Sequence, residues 1–256
     1  MKKTITSLFL LICFVTQSFG WGQNGHRVVG QLAEWHLNKK ARKNIEAILK
    51  HESIPMVANW MDEIRSDKAY DHTATWHWVT IPDGENYDRE VQEAAGDAFQ
   101  MLNNIKEKLK SGELSAKEES EYLKMLIHIV GDLHQPLHVG RGDDKGGNDV
   151  RVFYFNQETN LHSVWDTKMI EGQNLSFTEI ATHLNKRADK ETVTKYQKAS
   201  INDWLQEAMD LRPAVYDLPD NKRLSYPYNY KYYNLVEERL LAGGLRLAGL
   251  LNEIYG

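Results

Sequence analysis

Three observations predict a mainly α fold. Apolar residues recur at helical spacing along most of the chain, strand signals are confined to two short stretches, and no repeat, low-complexity tract or linker divides the sequence. Asn24 to His36 carries Val28, Val29, Leu32 and Trp35 on one face, and a second helix follows over Lys39 to Leu49. A short helix is predicted around Trp60, Met61 and Ile64. Glu90 to Leu109 reads as a long amphipathic helix closed by Ser111 and Gly112, and Leu114 to Leu133 as another, with Ser115 as N-cap and Pro136 beyond its end. Further helices are predicted near His162 to Ile170, Thr178 to Ala188, Thr192 to Leu211 and Tyr230 to Glu253. Only Thr75 to Ile81 and Val150 to Phe155 alternate with β-branched and aromatic residues, which predicts one small β-ribbon against many helices.

Composition narrows the class. With 41% hydrophobic and 26% charged residues the chain is an ordinary globular one. Met1 to Gly20 has the make-up of an export signal: Lys2 and Lys3, the apolar run Leu8 to Val15, and small residues Ser18 and Gly20 before a cut ahead of Trp21. Residues 21–256 then form one domain, secreted or periplasmic, with no transmembrane helix and no protein partner implied. The single cysteine, Cys13, falls in the signal, and Ile12 before it is unlike the small residue of a lipoprotein cut. An exported domain without disulfides must tie distant segments together by packing or by metal. The 36 acidic residues outweigh 31 basic ones, for a net charge of −5, and losing Lys2 and Lys3 makes the domain more acidic still. Bare electrostatics therefore argue against a phosphate-rich partner unless a bound metal reverses the field locally.

Ten histidines are present, several of them near aspartates. His128 and Asp132 are four apart in a predicted helix, as are His162 and Asp166, so each pair projects from one face and can hold one ion. Taken singly, either pair reads as a solvated couple on a helix surface; their repetition, with His138 following where Gly131 and Pro136 mark a helix end, favours a metal site. Imidazole and carboxylate ligands without thiolate suit a hydrolytic zinc centre.

The segments Trp21-Gly-x-x-Gly-His26, Asn59-Trp60-Met61-Asp62, Trp76-His77-Trp78, His128 to His138, Gly146-Gly147-Asn148 and His162-Ser-Val-Trp-Asp166 together resemble the zinc-dependent S1/P1 nucleases. The match covers nearly all of residues 21–256 in the family's order; each piece alone is weak or moderate, and the set is specific. The resemblance implies a largely helical fold of the type shared with zinc phospholipase C, holding three zinc ions at the base of a cleft. It implies that Asp62, His77, His128 and Asp132 hold one zinc, and His138, His162 and Asp166 a second. Trp21, through its free amine and carbonyl, would hold the third with His26, and Asp132 would bridge to the first. Three dications outweigh three ligand aspartates, which supplies the phosphate attractor that the acidic chain lacks.

The reaction implied is phosphodiester hydrolysis, in which clustered zinc activates water, neutralises the nonbridging oxygens and helps the leaving alkoxide, with no nucleophilic side chain. Asp62, Arg65 and Asp132 would carry catalysis. Arg65, three residues after Asp62, would steady transition-state charge, its competing reading being a surface arginine. Trp78 would stack on a base, with Trp76 a core residue, and Asn148 would contact the base, although Gly-Gly-Asn is also an ordinary turn. Thr80 departs from the family, where an aspartate often contacts the base. His134 lies between ligands, either supporting them or exposed; His36, His51, His72 and His183 lack a partner at ligand spacing. Asn174-Leu-Ser176 matches a glycosylation acceptor.

The expected activity is thus an exported trinuclear zinc hydrolase of single-stranded RNA and DNA giving 5′-phosphorylated products, with nucleoside 3′-phosphates as further substrates. Two alternatives stand beside it. A zinc phospholipase C shares the amino-terminal tryptophan but typically ends the ligand motif in glutamate, whereas Asp166 and Gly146-Gly147-Asn148 favour the nuclease. A zinc-sequestering protein without turnover would place its histidines in flexible tracts rather than across helices.

Overall fold

A computed structural model describes residues 21–256; the export signal expected over residues 1–20 lies outside the described residues. The architecture is mainly α. The long C-terminal helix Tyr226–Tyr255 runs through the core and packs on the first helix, Gln23–Trp35. Their backbones approach closely because Gly244 stands where a Cβ would collide with Leu32. The helix Ala116–Asp132 lies against both, and against Lys39–Leu49 and Ala98–Ser111. Its start is set by a reciprocal cap, in which the Glu118 amide donates to Ser115 Oγ at 3.3 Å and the Ser115 amide donates to the Glu118 carboxylate at 3.0 Å. Residues Met125 to Asp132 are all buried, so the end of this helix carries His128 and Asp132 into the middle of the molecule. The core includes fully buried leucines such as Leu32 and Leu245, each costing about 2 to 5 kcal/mol if truncated to alanine.

Three expectations about elements need correction. The stretch Glu90 to Leu109 is not one helix: only Arg89–Val91 forms a short 3-10 turn, Gly96 takes a left-handed φ of +95°, and the helix begins at Ala98 under the Asp97 cap. Thr192 to Leu211 is two helices, Lys190–Lys198 and Ile201–Asp210. Ser200 breaks the run because its hydroxyl caps the second, accepting from the Asp203 amide at 3.2 Å. Thr75 to Ile81 is extended only at its end. Residues Lys68–His77 form a 3-10 helix, and the strand is Val79–Thr80, paired in parallel with Val139–Gly140. The ribbon at Val150 to Phe155 is present as Arg151–Tyr154 paired antiparallel with Gln157–Asn160, and Arg223–Leu224 adds in parallel on its other side.

Buried polar residues tie these elements behind the histidine-rich segment. Arg246 and Arg239 of the C-terminal helix both bind the Glu207 carboxylate, at 2.7 to 2.8 Å and 2.6 Å respectively. Arg246 also donates to His134 Nε2 at 3.1 Å, and Arg239 to the His134 carbonyl at 3.3 Å. His134 is fully buried with Nδ1 donating to the Val130 carbonyl, so the alternative of an exposed His134 falls away. Burial, then Arg239 and Arg246, hold its pKa well below the ordinary value and keep it neutral. Burial opposes charge on Glu207, but its bonds to Arg246 and Arg239 outweigh that and lower its pKa from 4.5 to about 2. A depressed carboxylate contributes stability that is present above its unfolded pKa and is lost as pH falls through its folded one. The stability gap between the wild type and Glu207→Gln, measured by urea unfolding, is therefore expected to be full near neutral pH and to close between about pH 4.5 and pH 2. A gap that stays constant across that window would refute the linkage.

Candidate metal centre and active site

Eight histidine and aspartate side chains expected from the sequence meet at one place, brought there by five segments. The first helix supplies His26; the short helix Trp60–Glu63 supplies Asp62; the 3-10 helix ending at His77 supplies that ring. The helix Ala116–Asp132 and the turn Pro136–His138 supply His128, Asp132 and His138, and the helical run Leu161–Glu171 supplies His162 and Asp166. A π-helical stretch, Val164–Lys168, lies within that last run, and His162 and Asp166 still converge. Ligand atoms lie within 4.8 Å of one another in three groups: His26, Asp62 and His128; His77, His128 and Asp132; His138, His162 and Asp166. All are buried except Asp62, which is partly open.

The hydrogen bonds fix which ring nitrogens face inward. A carbonyl oxygen only accepts, so Nδ1 must carry the proton in His128, which donates to Ala58 at 2.7 Å, in His138, to His77 at 2.6 Å, and in His162, to Gly146 at 2.7 Å. In the neutral ring each Nε2 then faces inward as an acceptor. His138 Nε2 and His162 Nε2 nevertheless lie 3.2 Å apart, and His128 Nε2 sits 3.1 Å from His77 Nδ1. The Gln135 amide nitrogen, 3.4 Å from His162 Nε2, cannot answer both rings of its pair. The His77 nitrogen can donate in its pair, but the lone pairs of His138 and His162 repel each other, and a cation between them removes that conflict. Carbonyl acceptors behind metal-binding imidazoles are the usual means of aiming them.

The carboxylates complete the donor set. Asp132 Oδ2 is 3.0 Å from His77 Nδ1 and 3.2 Å from His128 Nε2, while Oδ1 is 3.3 Å from His26 Nε2 and 3.6 Å from His138 Nδ1. Asp62 Oδ1 lies 3.8 Å from His77 Nδ1 and 3.7 Å from His128 Nε2. Buried oxygens of Asp62, Asp132 and Asp166, and both nitrogens of His26, are without a hydrogen-bond partner. Burial and neighbouring charge pull the protonation states in opposite senses. Burial, with His128 next, lowers His26 to about 4; in His128 burial is outweighed by Asp132 and Asp62, which raise it to about 9; burial and Asp132 push Asp166 well up. Nitrogen and oxygen donors crowded in this way, with buried carboxylate oxygens left unpaired, suit borderline dications. The residues fit a zinc cluster.

Glycines make the close approaches possible. A Cβ on Gly131 would lie 2.5 Å from His26 Nδ1, so glycine at that helical position lets the His26 ring lie flat beside the helix, stacked on His128 at 3.9 Å between centroids. Trp21 is fully buried, and the amide of Gly22 donates to the Asp166 carbonyl at 2.8 Å, which anchors the start of the described chain beside the third group.

Next to the cluster, a cavity of about 350 Å³ is lined by His77, His138 and His162 at one end and by Trp78, Thr80 and Asn148 elsewhere. Trp78 is 37% exposed, whereas Trp76 is buried and donates to the Ala95 carbonyl, so of the two tryptophans only Trp76 is a core residue. Asn148 lines the cavity while its Nδ2 donates to the Lys145 carbonyl at 2.8 Å, so it also closes the Gly146-Gly147 turn, where both glycines have positive φ. Arg65 lies three residues after Asp62, in the one-turn 3-10 helix Ile64–Ser66 that continues the short helix Trp60–Glu63. Of the other histidines, His36 Nε2 meets Asn185 Oδ1 at 2.8 Å, and His51, His72 and His183 are exposed. Asn174 is exposed as well.

One residue escaped sequence reading. Arg212 is buried and donates to the carbonyls of Ile81 at 2.8 Å and Val139 at 2.7 Å, and to Asp83 at 2.8 Å. It straps the ends of the two-residue strands that follow Trp78 and His138, strands too short to hold their own register. Only the Arg-Pro pair at a helix start hinted at it, and that pair carries no information about a partner more than 70 residues away.

Comparison with known proteins agrees with this geometry. The family model described as S1/P1 Nuclease matches residues 21–256. Endonuclease 2 of Arabidopsis thaliana is 27% identical over 93% of this chain and 91% of its own length. Nuclease P1 of Penicillium citrinum is 28% identical over 92% and 98%, and Nuclease S1 of Aspergillus oryzae 32% identical over 60% and 56%. With the fold, the clustered histidines and aspartates and a match spanning all the described residues in agreement, the chain belongs to the S1/P1 nuclease family.

Proposed function

We propose that this protein is an exported trinuclear zinc phosphodiesterase, its catalytic domain over residues 21–256, that hydrolyses single-stranded RNA and DNA to 5′-phosphorylated products and also removes phosphate from nucleoside 3′-phosphates. The observation that carries the reading is the pair of imidazole Nε2 lone pairs of His138 and His162, aimed at each other by carbonyls that hold both Nδ1 protons. In this reading Asp62, His77, His128 and Asp132 would hold one zinc, His138, His162 and Asp166 a second, and Trp21 and His26, with Asp132 shared, a third. When bound, zinc supplies an activated water and neutralises phosphate charge. The chain's own residues do the rest. The carbonyls of Ala58, His77 and Gly146 keep three rings oriented. Trp78 offers a face on which any base can stack, worth about 1 to 3 kcal/mol. Thr80 and Asn148, in the same cavity, set what the base edge meets.

Arg65 is assigned to charge that develops in the transition state. Arg65→Ala is then expected to lower kcat by about a hundredfold while KM changes little. A raised KM with kcat intact would make it a general phosphate contact, and no change would return it to the surface reading.

The whole reading is tested by assaying the zinc-loaded protein that begins at Trp21 on single-stranded RNA and DNA, on a nucleoside 3′-phosphate and on phosphatidylcholine. Turnover of the first three alone is expected. Turnover of the lipid would support the phospholipase alternative, and full zinc with no turnover the sequestering one.

A further inference from the structure

The candidate metal centre opens into two separate cavities. His77, His138 and His162 line the one that holds Trp78, but Asp62 lines another, of about 460 Å³, walled by Gly22, Gln23, Asn59, Glu63, Thr167 and Glu171. The two share no lining residue, and a wider groove touches both, meeting the first at Lys145 and Asn148 and the second at Thr167. Each cavity is of the size that small-molecule sites occupy, about 300 to 1,000 Å³.

The second cavity contains an unexplained group. Asn59 is 2% exposed, yet neither its amide nitrogen nor its amide oxygen has a hydrogen-bond partner. Each unpaired group of that kind costs about 1 to 3 kcal/mol. Metal would account for the oxygen alone, because the amide NH2 is a donor only and cannot ligate a cation. The surrounding charges are Asp62, Glu63 and Glu171, with no lysine or arginine lining the cavity. Such walls repel phosphate and accept hydrogen bonds.

We infer that this cavity is a second nucleoside subsite, and that it prefers a base bearing an exocyclic amine. The inference rests on the nuclease reading. A nucleoside 3′-phosphate and an internal linkage share the nucleoside joined through its 3′-oxygen, which belongs beside Trp78; the linkage adds a nucleoside joined through its 5′-oxygen. That second nucleoside needs a space beside the cluster apart from the Trp78 cavity, and the cavity that Asp62 lines offers one. Adenine, cytosine and guanine present N–H donors to the Glu63 and Glu171 carboxylates and can pair both ends of the Asn59 amide. Uracil and thymine can still pair the Asn59 amide through N3–H and one carbonyl oxygen, but with no exocyclic amine they turn the other carbonyl oxygen towards the carboxylates and bind less well.

The test uses zinc-loaded protein and dinucleoside monophosphates with adenosine fixed in the first position and adenosine, cytidine, guanosine or uridine in the second, with adenosine 3′-phosphate as the reference that leaves the second cavity empty. The uridine compound is expected to have a kcat/KM about tenfold below the other three. Glu171→Gln, a change at an exposed residue outside the ligand set, is expected to narrow that gap by giving the uracil oxygens a donor. Asn59→Ala should lower kcat/KM for the dinucleotides relative to adenosine 3′-phosphate by about tenfold, with zinc content measured alongside. Equal rates for all four second bases, or a fall in the variants that is the same for the dinucleotides and the reference, would overturn the subsite. Wild-type protein that hydrolyses neither kind of substrate would overturn the nuclease reading instead.

Discussion

Asp132→Ala is expected to strip more than one zinc from each chain and to lower turnover by at least about a hundredfold. The reason lies in the division of labour between its two oxygens. Oδ2 faces His77 and His128 at 3.0 and 3.2 Å, and Oδ1 faces His26 at 3.3 Å, so one fully buried carboxylate stands between two groups of imidazoles. Alanine leaves those rings without the anion that offsets a cation's charge, in a place where water cannot substitute. Because metal affinity is linked to folding, the variant should also melt lower than the wild type in zinc and lose most of the stabilisation that added zinc provides. Metal analysis and thermal unfolding with and without zinc check both parts. Full zinc content with wild-type turnover would refute the bridging role.

How much of this was legible beforehand depends on the range of the interaction. His128 and Asp132 share a face because helical spacing requires it, and Gly131 between them signals a close approach that the His26 ring takes up. Trp76 and Trp78 separate into core and cavity although the strand expected there is mostly a 3-10 helix, since burial was decided by packing and not by the element. The divided helices were misread because periodicity was weighed above punctuation: Gly96-Asp97 and Ser200-x-x-Asp203 are cap signatures visible in the sequence, and the apolar pattern runs straight across them. Arg212, Arg239 and Arg246 were out of reach for a different reason. Their partners lie at least 32 residues away, and a buried guanidinium leaves no periodic trace. The same holds for the carbonyls behind His128, His138 and His162, which depend on loops whose paths are set by the whole fold.

A protein that keeps one extra residue ahead of Trp21 is expected to hold about two zinc ions where the processed protein holds three, and to lose most of its activity. In an uncut chain the Trp21 nitrogen belongs to an amide, whose lone pair is delocalised into the carbonyl and is not available to a metal. Cutting before Trp21 turns it into an amine with a donor pair. The neighbourhood suits such a ligand. The Trp21 side chain is fully buried, a Cβ on Gly25 would lie 2.9 Å from the Trp21 Cβ, and the Gly22 amide is pinned to the Asp166 carbonyl, so the backbone at Trp21 is held in place without any metal. His26, one turn along the first helix, brings a buried ring with neither nitrogen hydrogen-bonded, and Asp132 Oδ1 lies 3.3 Å from it. Amine, imidazole and carboxylate together make a nitrogen and oxygen set for a third ion, and export would then be coupled to activation. The extended protein, made with an uncleaved methionine before Trp21, should fold and retain the other two ions, because their ligands lie on His77, His128, His138, His162 and the three aspartates. Zinc analysis, turnover and thermal stability are compared for the two forms at one pH, with a protein extended at the exposed Gly256 as control. Equal zinc and equal rates would show that Trp21 is not a ligand. A loss of all zinc would show that the third position organises the other two, a stronger coupling than the separate donor groups imply.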